Sequence, residues 1–211
     1  MNDRNAEVEE TSDRDQAERD HPGSGPQRGE RQQLIARLRT VFERNGYAGA
    51  TFSLLSAASG LGRATLYHHF PGGKSELVRD AVASIGATVV TIIDSLEVDK
   101  PEDVVSAFVE GWRALFVGGN YDRGCAVAAT SLGAGDDAGL RLAALKVFEA
   151  WTTSLANAFI RTGVQKSEAA DFASLCIAVV EGALIMGRTA RRDEIFDVAL
   201  RQLTALVTKP R

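Results

Sequence analysis

The chain has 211 residues, an ordinary 45 % apolar content and a formal net charge of −4, enough for one large or two small domains with a buried core. Two cysteines, Cys125 and Cys176, are too few for a disulfide framework, and no metal-ligand spacing accompanies them. The polar, acidic start does not read as a signal peptide and no apolar run reads as a membrane span, so a reducing cytoplasm is expected.

The charge is unevenly spread. Residues 1–27 carry three Arg against eight acidic residues, residues 28–80 carry eight basic against four acidic, and the remainder is again mildly acidic. Only the second segment is basic, which suits a local DNA-facing surface on an acidic protein. Residues 1–28 are nearly devoid of apolar side chains and are expected to form a disordered acidic tail, either passive or tempering nonspecific DNA binding.

Leu34, Ile35, Leu38, Val41 and Phe42 make the apolar stripe of a first helix, which Asn45-Gly46 is expected to end with Gly46 in a left-handed cap. Residues 51–70 then read as helix, turn, helix. Leu54, Leu55 and Ala58 give the first of these an apolar face, Ser59-Gly60-Leu61-Gly62 makes the turn, and Leu61 is the expected buried pin. In the second, Leu66 and Phe70 fall on an inward stripe while Arg63, Ala64, Thr65, Tyr67, His68 and His69 face outward. An exposed face of this composition is suited to phosphates and base edges in a DNA groove.

Phe42, Gly46-Tyr47, Thr51, Leu55, Gly60-Leu61, Thr65-Leu66-Tyr67, His69-Phe70, Lys74 and Leu77 together resemble the helix-turn-helix of the tetracycline-repressor (TetR/AcrR) family of bacterial transcription regulators. Gly62 departs from the Ser or Thr usual at its position, weakening the cap of the second helix, and Ala64 stands where Gly is frequent. Farther on, Arg123-Gly124-Cys125 resembles the subgroup responding to lincomycin-like or flavonoid-like compounds. Thr51 and the amides beside it are placed to hold a phosphate, and Arg63 and Thr65 to reach base edges. The resemblance implies backbone clamping by Tyr67 and Lys74. Of His68 and His69, one is expected on a phosphate and the other packed against a neighbouring helix.

Pro71-Gly72-Gly73 breaks the chain before a long helix whose stripe runs from Leu77 to Ile93 and links two domains. Pro101-Glu102-Asp103 opens the next helix, with Val104, Val105, Phe108, Val109, Trp112, Leu115 and Phe116 inward. Gly118-Gly119-Asn120 ends it. A short small-residue helix, Cys125 to Leu132, follows. Asp136-Asp137 starts another helix, with Ala144, Phe148, Trp151, Leu155 and Phe159 on one face. Ser167 is the expected cap of a helix spanning Phe172 to Arg188, and Asp193 the cap of one spanning Ile195 to Val207. No alternating β pattern appears. The expected fold is all-α: an N-terminal three-helix helix-turn-helix domain at 29–80 and a larger helical ligand-binding and dimerisation domain at 81–211.

Phe108, Trp112, Phe116, Phe148, Trp151 and Leu155 are either plain core or the lining of a cavity for a flat or greasy ligand, with Tyr121, Cys125 and Asn120 at its rim. The helix from Leu175 to Met186 is apolar nearly all round, which calls for a second subunit. Ile177, Gly182, Ile185, Met186, Phe196 and Leu203 are the expected homodimer contacts. Glu181, inside that helix, is read as solvated or paired with Arg188. No catalytic constellation, phosphate loop, cofactor or metal site is found in the sequence. The favoured function is a repressor released from double-stranded operator DNA by a small apolar or aromatic effector. A ligand-independent regulator and a helical binding protein or enzyme are the alternatives.

Overall fold

The computed structural model describes residues 26–209. The expected tail lies outside the described residues up to position 25, and residues 26–28 open the first helix. Contacts divide the chain into Met1–Leu34 and Ile35–Arg211, and all packing described below lies within the second unit. The helices are α1 Pro26–Gly49, α2 Phe52–Ser59, α3 Arg63–His69, α4 Gly73–Asp94, α5 Pro101–Gly118, α6 Ala126–Gly133, α7 Ala138–Arg161, α8 Lys166–Ala190 and α9 Glu194–Val207. The described residues contain no strand, and the fold is all-α.

Helix α1 buries Ile35, Leu38, Val41 and Phe42. Gly46 does interrupt it, at φ 62°, but one further turn follows to Gly49. Glycine serves twice there, because a Cβ would also lie 3.2 Å from Ala129 Cβ on α6. Thr51 caps α2 by accepting from the Leu54 amide at 3.3 Å, and Gly60 ends it in the left-handed region. The buried positions of α2 are Leu55 and Ser59; Leu54 and Ala58 are exposed, contrary to the expected face. Ser59 tolerates burial because its hydroxyl donates to the Leu55 carbonyl at 2.7 Å. Leu61 is half-buried rather than a buried pin. Gly62 gives α3 no side-chain cap, as expected.

Helix α7 runs along α4 and also packs on α8. The α4–α7 approach is closest at Gly86, where a Cβ would lie 2.7 Å from both methyls of Val147. The Gly86 carbonyl accepts the Trp151 indole N–H at 3.1 Å. Asp137 caps α7 through the Leu140 amide at 3.1 Å, and that bond holds its carboxyl below the usual range. Asp193 is the N-cap residue of α9 as expected, but its side chain makes no capping bond. Its carboxylate instead accepts from Arg113 Nε at 2.7 Å, while Arg113 Nη2 pairs with Asp197 at 2.9 Å. Helix α5 is thereby tied to α9.

Helix α8 begins at Lys166, after an extended Gln165, so Ser167 lies inside it and is not its cap. By length and composition α8 could cross a membrane, which corrects the expectation that no run is long enough. It packs on α7 and α9 as a core helix, with Phe172, Cys176, Ile177, Val180 and Leu184 buried.

Candidate DNA-binding surface and ligand cavity

Helix α3 buries only Leu66 along its length. Arg63, Ala64, Thr65, Tyr67 and His68 are exposed, and His69 is half-buried. The Phe52 ring stacks on Tyr67 at 5.1 Å and 19°. The Arg63 guanidinium lies 4.8 Å from the Phe52 centroid and 5.6 Å from that of Tyr67. Thr51 is exposed one residue before α2, with its hydroxyl already committed to its own helix. Lys74 is half-buried: its ammonium donates to the Tyr47 carbonyl at 2.9 Å and sits 4.2 Å from the Tyr47 centroid. The ammonium thus ties the start of α4 to the last turn of α1.

A cavity of about 440 Å³ opens between α4 and α5. Its α4 wall is Val89, Ile92 and Ile93, and its α5 wall includes Phe108, Trp112 and Leu115. Of the residues expected to bind a ligand, Phe108 and Trp112 line it; Phe116, Tyr121, Cys125, Phe148, Trp151 and Leu155 do not. The space between α5 and α7 is filled instead. Trp112 and Trp151 meet edge to face at 5.6 Å, and Phe148 meets Trp151 at 5.7 Å. Phe116 packs on Tyr121 and Phe196. The α4 wall escaped the sequence reading, although Ile92, more than half exposed on an otherwise inward stripe, marks it.

Arg123 also lines the cavity. Its Nε and Nη2 donate to Glu43 Oε2 at 2.8 and 2.6 Å, and Glu43 Oε1 accepts from Arg39 Nε at 2.7 Å. The Gly124 amide donates to the Glu43 carbonyl at 2.9 Å. No spacing rule joins residues eighty apart, so this link was not legible.

Glu181 is half-buried and does not pair with Arg188, whose Nη2 donates to the Arg44 carbonyl at 2.6 Å. Burial raises the Glu181 carboxyl to about 7, and a hydrogen bond from the Cys125 thiol partly opposes this. Burial, then the neighbouring Glu181, push the Cys125 thiol well above its ordinary range, and burial alone takes Cys176 up to about 12. Both thiols are therefore protonated and unreactive near neutral pH.

Along α8, Leu175, Ala178, Ile185 and Met186 are exposed, the last two by 59 % and 58 %. Gly182 lies on the same face, with nothing within 4 Å of where its Cβ would be. Val198 and Leu206 extend the exposed apolar surface on α9. Ile177, Phe196 and Leu203, expected on this face, are buried within the chain. The reason is that α8 and α9 each have two apolar sides: Ile177 on α8 and Phe196 and Leu203 on α9 belong to the sides packed within the chain.

Two short helices at a glycine turn, the second presenting an almost wholly exposed polar face, define a helix-turn-helix DNA-binding protein. Residues 34–81 match the bacterial regulatory proteins of the tetR family, and residues 101–202 match the C-terminal domain of LmrA/YxaF-like transcriptional regulators. The chain belongs to the TetR family and is a transcriptional regulator, not an enzyme. The HTH-type regulator Rv0196 of Mycobacterium tuberculosis is 28 % identical over 185 residues, spanning 85 % of this chain and 94 % of the relative. A TetR-family regulator from Agrobacterium tumefaciens shares the fold at a TM-score of 0.75 and 20 % identity, over 87 % of this chain and all of the other. A cysteine variant of the TetR-family regulator CifR, solved with 26-bp operator DNA, superposes at a TM-score of 0.68 and 20 % identity, over 84 % of this chain and 96 % of its own.

Proposed function

We propose that this regulator is a cytoplasmic homodimeric repressor, released from a palindromic operator when a small apolar or aromatic molecule enters the α4–α5 cavity. The observation that carries the reading is the cavity. It is about 440 Å³, apolar almost throughout, and walled on one side by the helix that leaves the helix-turn-helix directly. Residues 29–80 form the DNA-binding part and 81–211 the effector and dimer part. Arg63, Thr65, Tyr67 and His68 meet the DNA, with Thr51 and the first amides of α2 on a phosphate. The exposed apolar face of α8 and α9 pairs with its two-fold mate, which sets two α3 helices on two half-sites. A full switch requires the effector to prefer the DNA-incompetent state by roughly 10⁴-fold.

The solid packing of Trp112, Trp151 and Phe148 favours a second reading, a ligand-independent regulator. One experiment separates the two. Gly111 lines the cavity and a Cβ there meets nothing within 4 Å, so Gly111→Leu places an apolar side chain in the space and narrows it. The neutral dye N-phenyl-1-naphthylamine should bind the native protein and fail to bind Gly111→Leu, while the melting temperature holds or rises. Equal dye binding by both proteins removes the cavity as the effector site.

A further inference from the structure

We infer that the effector carries an anionic group, and that this group takes Arg123 from Glu43. The inference rests on the reading of the α4–α5 cavity as the effector site. Arg123 is the sole ionisable residue among the described residues lining that cavity. Its side chain is routed there across the end of α5. A Cβ at Gly119 would overlap the Arg123 side chain, so glycine is the residue that lets the guanidinium pass. The loop beneath is fixed. Asn120 and Tyr121 both lie in the left-handed region, at φ 55° and 63°, and Arg191 holds the Asn120 carbonyl at 3.1 Å and Asp122 at 2.7 Å. A ligand therefore acts on the side chain of Arg123 and not on its backbone.

The same guanidinium reaches the DNA-binding half. Glu43 lies on α1, within the matched helix-turn-helix segment, and its side chain is 7 % exposed. A second recess of only about 20 Å³, bordered by Arg39 and Glu43, shares Trp112, Leu115 and Arg123 with the large cavity. The cluster of Arg39, Glu43 and Arg123 holds two cations against one anion. An incoming anion meets a positive surplus beside largely apolar walls, where charge-assisted bonds are strong. Glu43 and the effector anion compete for one partner. Binding in the cavity weakens the hold of the α5–α6 loop on α1, and by reciprocity the intact Arg123–Glu43 pair weakens effector binding.

The test uses two dyes with one aromatic body: 1-anilinonaphthalene-8-sulfonate, which is anionic, and neutral N-phenyl-1-naphthylamine. The full chain should bind the sulfonate about tenfold more tightly than the neutral dye. Arg123→Met should erase that preference and leave the neutral dye bound. Glu43→Gln should tighten the sulfonate severalfold by removing its competitor. The double variant Glu43→Gln with Arg123→Met leaves no buried charge unpaired by Arg123. It should bind both dyes equally, even if the single Arg123→Met folds poorly. The sulfonate, and not the neutral dye, should loosen the protein from its own upstream DNA. If the neutral dye binds but the sulfonate gains nothing, or its gain survives both Arg123 variants, the anion inference is wrong and the cavity reading stands. If neither dye binds, both fall.

Discussion

Arg63 reaches its exposed position with little freedom left. Its guanidinium lies over Phe52 and near Tyr67, two rings already stacked on each other, so part of its ordering cost is met before DNA arrives. Arg63→Ala should cost about 1–3 kcal/mol of operator affinity and relax the base preference at one position per half-site, as read in a binding-site selection. An unchanged sequence profile would make Arg63 a phosphate contact at most. Glu181 gives a different residue-scale forecast. Its carboxyl lies near 7 in the folded protein against an ordinary 4.5, so the folded state holds the proton more tightly between those values. The sign follows: stability is greatest below about pH 4.5 on this group's account and is lost as pH rises toward 7. Glu181→Gln should remove that slope, and its stability relative to the native protein should rise from pH 5 to pH 8 by at most about 3 kcal/mol in denaturant titrations. Parallel curves at the two pH values would show that the group titrates normally. The exposed face of α3 was legible because helical spacing separates Leu66 and Phe70 from the polar residues. The Cys125 partner of Glu181 was not, because it lies on a different element and no local pattern points to it.

Helix α5 shows what a stripe can and cannot say. Its inward residues were identified from spacing, and all but Leu115 are buried. The stripe does not say which neighbour each residue faces, and α5 has α7, α8 and α9 against it as well as the cavity toward α4. Spacing alone thus left Phe108 and Trp112 as core or cavity lining; aromatic rings fill the space between Trp112 and α7, and the open space lies toward α4. The ends of α8 failed for a local reason. Ser167 looks like a cap, but the extended Gln165 starts the helix earlier, just after Gly163 turns the chain at φ 96°. The α4–α7 contact was illegible because Gly86 is an ordinary mid-helix glycine in the sequence. In the fold it is where the two helices touch, so Gly86→Val should overpack against Val147 and destabilise by about 1–3 kcal/mol or more in thermal melts. A neutral substitution would show that α7 yields there easily.

For the whole molecule, the open space around Gly182 makes a clean test of assembly. Within one chain a Cβ there meets nothing within 4 Å, so Gly182→Arg should fold normally. If α8 pairs with its mate, the same substitution should give monomers in sedimentation and lose operator affinity as the two half-sites uncouple. A dimeric Gly182→Arg protein would place the interface on another face. Gly86 carries a further consequence at this scale. The Trp151 indole holds its carbonyl and Val147 crowds its Cα, and at the cavity end Ser154 on α7 also donates to the Asp94 carboxylate. Helix α4 is thus splinted to α7 along its length, while its first turn is tied to α1 through Lys74. A splinted rod does not pivot alone, so a push at the cavity end of α4 is shared with α7 before it reaches Gly73.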